Sequence, residues 1–277
     1  MEEGNMTRSK GLAILGGGNI GQAIARGVVA AGLFQADEVT ITRRHLHLLD
    51  SFKEQGFVIE KDNREAVRSA DTVIVAVRPE QLHDLLDEIC VELDSRRHFL
   101  ISTVTGATIA EILCHLRKEL TVIRAMPNTA VAIGESMTCL SASEGRPEGL
   151  ERARQVFDSV GKTMVIDEEL MTPATALCAC GVAFFLRSIR AASQGGIEIG
   201  FHAEEAIMLA AQTARGAASL LLQMETHPEK EIDKVTTPMG CTIAGLNRME
   251  HEGFSSALIK GIVTSSQKAA NITGKKH

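Results

Sequence analysis

Six residues near the start of the chain, Gly16-Gly17-Gly18-Asn19-Ile20-Gly21, have the spacing G-x-G-x-x-G. Alone, that pattern also describes a plain glycine-rich turn. Here it follows a short apolar run, Gly11 to Gly16, and opens a segment of helical composition, Ile20 to Ala31. In that context glycine lets the backbone turn tightly and approach a pyrophosphate. The helix start offers unpaired N–H donors and a partial positive charge. The loop is therefore read as a dinucleotide cradle, with Gly16, Gly18, Asn19, Ile20 and Gly21 against the phosphates. The next strand ends in Thr42-Arg43-Arg44 rather than in the acidic residue that an NAD ribose requires. Arg43 and Arg44 are placed to grip a 2′-phosphate by charge-assisted bonds, or else they form a solvated helix start. The first reading selects NADPH, with NADH as a possible second cofactor. Val77-Arg78-Pro79 and Arg124-Ala125-Met126-Pro127-Asn128-Thr129 each follow an apolar strand-like run. Loops at the carboxyl edge of an open sheet bind ligands. Val77, Arg78, Pro79, Met126, Pro127 and Asn128 are thus expected at the nicotinamide end, unless Arg78 only caps the edge.

Several chemistries are excluded by what is missing. The six cysteines, at 90, 114, 139, 178, 180 and 241, form no CxxC and sit at no zinc-ligand spacing. No metal site is expected, and the thiols are read as buried and reduced. Cys178 and Cys180 in particular read as small buried residues, because no charged neighbour in sequence activates them. Trp and Tyr are absent, which removes tyrosine as a proton donor and the usual stacking platforms for single-stranded nucleic acid. A net charge of -6 argues against an extended nucleic-acid surface. No uninterrupted apolar run reaches the length of a membrane span, so no membrane partner is expected. The polar first ten residues lack a secretory pattern, and the expectation is a cytoplasmic protein. The basic end, Gly274-Lys275-Lys276-His277, is read as frayed.

The elements that must position these residues alternate in the first part of the chain. Strand-like runs at 38–42, 56–60, 72–77, 99–102 and 121–124 follow the first one, with helix-length segments between them. That order means βαβ units and a parallel sheet. Runs at 131–140 and 163–166 are candidates to extend it. From about Leu170 the composition shifts to Ala- and Leu-rich stretches, at 183–194, 203–224 and 254–272, all read as helices. Pro173, the Gly195–Gly196 pair, Gly200, Pro228, Pro238 and Gly253 are read as the punctuation between them. The expected architecture is α/β: a Rossmann-type, mostly parallel sheet domain over 1–168, then an all-α domain over 169–277. The stretch 203–222 is apolar enough to require burial on most of its surface. A domain this small has little interior, so it is expected to pack against a second copy.

With these motifs in order, the chain resembles the pyrroline-5-carboxylate reductases, and the resemblance covers nearly all of it. The family's glycine loop is matched by Gly16 to Gly21, and its valine-lysine-proline segment is approximated by Val77-Arg78-Pro79. Its arginine-x-methionine-proline-asparagine-threonine run stands intact at 124–129. Its C-terminal signature stands as Val235-Thr236-Thr237-Pro238-Met239-Gly240-Cys241-Thr242. The resemblance implies NADPH-dependent reduction of a cyclic imino acid, 1-pyrroline-5-carboxylate, to proline. It implies a helical dimerisation and substrate domain, and self-association as a homodimer or a ring of dimers. It implies that Asn63, which precedes a Glu-Ala-Val run, touches the cofactor. It also implies that Thr237, Met239, Gly240, Cys241 and Thr242 hold the substrate carboxylate, largely through backbone N–H groups, opposite the nicotinamide of a partner subunit. Thr242 then hydrogen-bonds the imine nitrogen as the catalytic residue.

The chain departs from the family at the start of the central helix. A serine-glycine-serine-glycine-proline segment is replaced there by Cys178-Ala179-Cys180-Gly181-Val182. Met239 and Cys241 replace glycines in the substrate loop, and Arg78 replaces lysine. These changes bear on substrate preference, including ring size, more than on reaction class. Two other readings share the plan. A 2-hydroxyacid dehydrogenase needs a base, commonly a lysine on the long helix, yet no lysine lies between Lys162 and Lys230. His202 falls in a Gly-Phe-His-Ala turn instead. A non-catalytic NADP-binding regulator is favoured only by the altered 178–182 segment, and the retained Thr242 argues against it.

Overall fold

A computed structural model describes residues 11–273. The polar N-terminal residues and the basic end at 274–277 lie outside the described residues. Eight strands form one sheet. They are β1 Leu12–Leu15, β2 Val39–Thr42, β3 Val58–Glu60, β4 Thr72–Val75, β5 Phe99–Ser102, β6 Thr121–Met126, β7 Ser136–Ala142 and β8 Gly161–Val165. Their order is β3-β2-β1-β4-β5-β6-β7-β8. Every pairing is parallel except β6 with β7. The helices over the sheet are α1 Asn19–Ala30, α2 Asp50–Glu54, α3 Asn63–Ser69, α4 Leu82–Ile89, α5 Ile109–Leu116 and α6 Pro147–Asp158.

The apolar runs are continuous because both faces of the sheet are covered. Along β1, Leu12 and Ile14 enter one core with Ile24, Phe52 and Phe157. Ala13 and Leu15 enter the opposite core with Leu86, Ile89 and Leu100. The period of two in a strand divides one sequence run between two cores. The strand order reverses between β1 and its neighbours β2 and β4, so a crevice opens at the carboxyl end of β1. The run at 131–140 is only partly a strand. Residues Thr129–Ile133 form a 3-10 turn that Gly134 ends at a φ of 72°, and β7 begins after it.

The chain divides into two compact units. The first runs to Ala179 and includes the chain from Ser266, and the second is Cys180–Ser265. The composition-based boundary at 168/169 therefore falls before the observed division. The short helix α7 Met171–Ala174 and the π-helical turn Thr175–Ala179 pack with the first unit, burying Met171 and Ala174 beside Met126. The second unit holds α8 Gly181–Glu198, α9 Ala203–Met224, α10 Pro228–Lys234, α11 Cys241–His251 and the first part of α12 Phe254–Thr273. The Gly195–Gly196 pair lies inside α8 rather than between helices. A Cβ on Gly196 would stand 3.1 Å from the Ala206 Cβ, so the glycine lets α8 and α9 approach closely.

Large apolar side chains of the second unit stay exposed, among them Phe185, Leu186, Met208, Leu222 and Ile259. On α9 only Ala206 is buried. Contrary to the reading from uninterrupted runs, the helical stretch 168–198 contains an 18-residue window with a mean hydropathy of 1.6, which meets the length and composition of a membrane span. Ala, Cys, Val, Phe and Leu raise that average, while Thr172, Pro173, Thr175 and Gly181 interrupt the apolar run. The same stretch carries Arg187 and Arg190 and contains the π-helical turn.

One buried titratable group ties the first unit together. His98 is buried, its Nδ1 accepts from the Asp94 N–H, and its Nε2 lies 3.2 Å from the Val67 carbonyl oxygen. Burial holds its pKa below the ordinary imidazole value. The unfolded chain therefore takes up the proton first, and His98's contribution is full above about pH 6.5 and lost as pH falls below it. Denaturant unfolding across about pH 7 to 5 should show stability falling with pH through this group. His98→Asn should flatten that slope, and an unchanged slope would assign the loss elsewhere.

Candidate active site

The cradle begins where β1 ends. Gly16 has a φ of 114°, and a Cβ there would stand 2.5 Å from the Ala76 carbonyl oxygen. Only glycine meets both conditions. A Cβ on Gly21 would stand 2.2 Å from the Gly16 carbonyl oxygen, so the helix packs directly on the turn. Gly18 is different: its Cβ would meet nothing within 4 Å. Gly18 caps α1 without a side-chain bond, and no acidic residue stands in the first turn. The positive end of α1 thus faces an approach that no side chain blocks, the arrangement a phosphate requires. Gly18 and Asn19 are exposed, Ile20 half-buried and Gly21 buried.

The turn is held from the neighbouring strand. The Gly17 N–H donates to the Thr42 carbonyl at 2.7 Å, and the Gly16 N–H reaches Thr42 Oγ1 at 3.3 Å. Thr42 Oγ1 donates to Asn63 Oδ1 at 2.6 Å, and Asn63 Nδ2 donates to Glu88 Oε2 at 2.9 Å. Asn63 is therefore oriented from both ends of its amide and sits beside the loop. Arg43 Nη1 and Gln22 Nε2 both donate to the Gly17 carbonyl at 2.8 Å. The two arginines consequently divide: Arg43 is half-buried and clamps the loop, while Arg44 is exposed beyond it.

The two other loops also lie at the carboxyl edge. Beyond β4, the Ala76 N–H donates to the Leu15 carbonyl at 2.8 Å, which keeps Val77 beside Gly16. The Val77 Cγ1 would lie 3.1 Å from a Cβ on Gly16. Arg78 is exposed and pairs with Glu80 at 3.1 Å, and Pro79 opens a 3-10 turn. Beyond β6, Met126, Pro127 and Asn128 are buried. The Asn128 amide is engaged within the protein: Oδ1 accepts from the Ala130 N–H at 2.9 Å, and Nδ2 donates to the Cys178 carbonyl at 3.3 Å. Buried Arg124 pairs with Glu168 Oε1 at 3.1 Å, and the same oxygen accepts from the Ile109 N–H at 2.7 Å. Thr42, Gln22, Glu88 and Glu168 escaped the sequence reading. Each acts through the loop or a neighbouring side chain, and no spacing rule marks such partners.

The residues expected to hold the substrate, Thr237 to Thr242, all belong to the second unit. Thr237 to Gly240 form a tight turn in which the Gly240 N–H donates to the Thr237 carbonyl at 2.9 Å. A Cβ on Gly240 would stand 2.5 Å from Thr237 Oγ1, so glycine is required. Met239 is fully exposed and adopts a φ of 60°, a left-handed conformation that non-glycine residues rarely take. Gly240 then caps α11, whose first residues are the exposed Cys241 and half-buried Thr242. No side chain caps the start of α11, so its first N–H groups lack a side-chain partner, which suits an anion such as a carboxylate. His202 is exposed and caps α9, where its N–H donates to Glu205 Oε2.

The cysteines correct the expectation of uniformly buried thiols. Only Cys139 is buried, Cys114 and Cys241 are exposed, and Cys90, Cys178 and Cys180 are half-buried. Cys178 Sγ lies 3.9 Å from Cys139 Sγ. No cluster of three or more metal-ligating side chains occurs among the described residues.

Residues 168–272 match the family described as pyrroline-5-carboxylate reductase dimerisation, and residues 11–106 match the one described as NADP oxidoreductase, coenzyme F420-dependent. The chain is 52% identical over 278 residues to a Dictyostelium discoideum protein named pyrroline-5-carboxylate reductase 1, covering 96% of this chain and 50% of that one. The chain thus spans half the length of that relative. It is 46% identical to pyrroline-5-carboxylate reductase 2 of the same organism, covering 96% of this chain and 94% of that one. A Coxiella burnetii pyrroline-5-carboxylate reductase structure superposes with a TM-score of 0.90 at 28% identity, over 98% of this chain and 100% of the other. A Plasmodium falciparum pyrroline carboxylate reductase with NADP bound superposes at 0.86 over 95% of this chain and 98% of the other, and at 22% identity it shares the fold.

The glycine geometry generates a paired test. Gly21→Ala should weaken dinucleotide binding by about tenfold or more and cost about 1–3 kcal/mol in overpacking. Gly18→Ala should leave stability within about 0.5 kcal/mol of the parent. Titration and thermal melts of both variants check this, and equal behaviour of the two would contradict the packing described.

Proposed function

We infer function from one premise: the chain belongs to the pyrroline-5-carboxylate reductase family. Its proposed reaction is the NADPH-dependent reduction of 1-pyrroline-5-carboxylate to proline. The observation that carries this reading is the pair of helix starts that no side chain caps. One, at Gly18, suits a pyrophosphate, and the other, at Gly240, suits a carboxylate. The missing Cβ atoms at Gly16 and Gly21 and the exposed Arg44 fit the dinucleotide.

When bound, the dihydronicotinamide supplies the hydride that reduces the imine carbon. The protein's part is to bind, orient and exclude water. The N–H groups at the start of α11 hold the substrate carboxylate. The Thr242 hydroxyl holds the imine nitrogen, and the product amine takes its proton from solvent. No strong acid or base is required, which agrees with a loop that offers hydroxyls and N–H groups. A hydroxyacid dehydrogenase would need a base that the central helices lack.

The matched dimerisation family supports self-association. The exposed apolar residues of α8, α9 and α12 are proposed to pack on a second copy rather than in a bilayer. The same reading keeps the helical segment as the substrate domain and places the protein in the cytoplasm.

Following NADPH absorbance with pyrroline-5-carboxylate tests the reaction, and cofactor binding without turnover would support a regulator instead. Arg44→Ala should weaken NADPH by about tenfold to a hundredfold while sparing NADH. Arg43→Ala should weaken both cofactors, because it holds the Gly17 carbonyl. Thr242→Val should lower kcat/KM by about tenfold or more with NADPH affinity unchanged. Full activity in that variant would remove Thr242 from the mechanism.

A further inference from the structure

We propose that Cys139 and Cys178 are a reversible oxidation site, forming a disulfide that remakes the loop after β6. Cys139 lies on β7 and Cys178 on the π-helical turn Thr175–Ala179, and their sulfurs stand 3.9 Å apart. A disulfide requires about 2.05 Å, a closure that side-chain rotation and a small shift of the turn can supply. Cys180, which the sequence places nearest, is the wrong partner. Side chains two apart on a helical turn do not face each other.

The two thiols are unequal. Cys139 is buried against Met126, Met171 and Ala174, whereas Cys178 at the edge of that cluster is half-buried and reachable by a small oxidant. The two sulfurs are within hydrogen-bond reach, and that contact holds the half-buried Cys178 below the ordinary thiol value. The same contact, with burial, pushes Cys139 up. Cys178 is therefore the attacking thiolate and Cys139 the resolving thiol. With hydrogen peroxide, the Cys178 thiolate attacks one oxygen, the O–O bond breaks, and a sulfenic acid and hydroxide result. Cys139 then attacks the Cys178 sulfur, the S–O bond breaks, and water leaves with the thiol proton. Two thiols lose two electrons and two protons, and one peroxide becomes two waters. A small thiol reverses the bond.

The consequence reaches the loop through the backbone. The Cys178 carbonyl is the acceptor for Asn128 Nδ2 at 3.3 Å, and Met126 packs on both cysteines' cluster. Drawing Cys178 toward β7 strains that hydrogen bond and shifts the 126–128 segment. This last step rests on the function proposed above, in which that segment meets the cofactor.

The test uses the full chain treated with hydrogen peroxide, alkylated, digested and mapped by mass spectrometry. The expected product is a Cys139–Cys178 cross-linked peptide that disappears with dithiothreitol. In Cys139→Ser, which keeps a hydroxyl beside Cys178 but cannot form a disulfide, dimedone should trap Cys178 as a sulfenic acid adduct. NADPH should bind the oxidised protein about three- to tenfold more weakly, with recovery on reduction. Both residues staying alkylatable while exposed Cys114 or Cys241 is oxidised would overturn the site, as would a Cys178–Cys180 bond. A cross-link without change in affinity would overturn the coupling to the loop. The reduced protein's own affinity for NADPH scores the functional reading separately, since the peptide map requires no cofactor.

Discussion

The first unit depends on a near-contact between two backbone segments, the turn at Gly16 and the start of α1 at Gly21. A Cβ at Gly21 would fall 2.2 Å from the Gly16 carbonyl oxygen. That closeness aims the end of α1 at the crevice where the strand order reverses. It also leaves no room for a side chain at either glycine. Bracing comes from around the turn instead: Thr42 holds the Gly16 and Gly17 amides, and Arg43 and Gln22 hold the Gly17 carbonyl. Thr42 and Arg43, at the end of β2, are thus occupied in holding the glycine turn. The Asn63 and Asn128 amides are likewise each oriented by partners within the protein. A preorganised polar site loses less on binding, because its groups need little reorientation.

The second unit is governed by the opposite imbalance. Its helices carry more large apolar surface than a single chain of this size can bury, and Phe185, Leu186 and Met208 remain exposed. Burial of each such side chain contributes about 1.5–3 kcal/mol relative to exposure. Self-association is accordingly the natural outlet for these helices. Among the segments that join these helices, the turn from Thr237 to Gly240 holds Met239 at a φ of 60°. Strain held in this way persists only where the surroundings determine the conformation strongly.

The cysteine segment at 178–180 illustrates how the two units differ in what they ask of small residues. Gly181 begins α8 in the second unit, whereas Cys178 belongs to the first and contacts β7. Reduced, the small thiol fills the position without demanding hydrogen bonds. Its distinctive property, reactivity, comes from a neighbour thirty-nine positions away in sequence.

By itself, the sequence determined the features that follow from local physics. Continuous apolar runs alternating with helical segments specify a covered parallel sheet, and the glycine spacing specifies where it opens. The runs at 124–129 and 235–242 specify the family because residue order survives without any knowledge of contacts. Tertiary structure decided the rest. The strand at 131–140 became a turn and then β7, because Gly134 ends the 3-10 segment first. The Gly195–Gly196 pair became helix interior, because close packing against Ala206 replaces what a turn would have supplied. Arg43 and Arg44 read alike in sequence, yet one turned inward to a carbonyl and the other outward. Cys178 seemed inert beside Cys180 and proved to face Cys139. Which neighbour a side chain meets is set by strands and turns far apart in the chain, and local periodicity carries no information about such contacts.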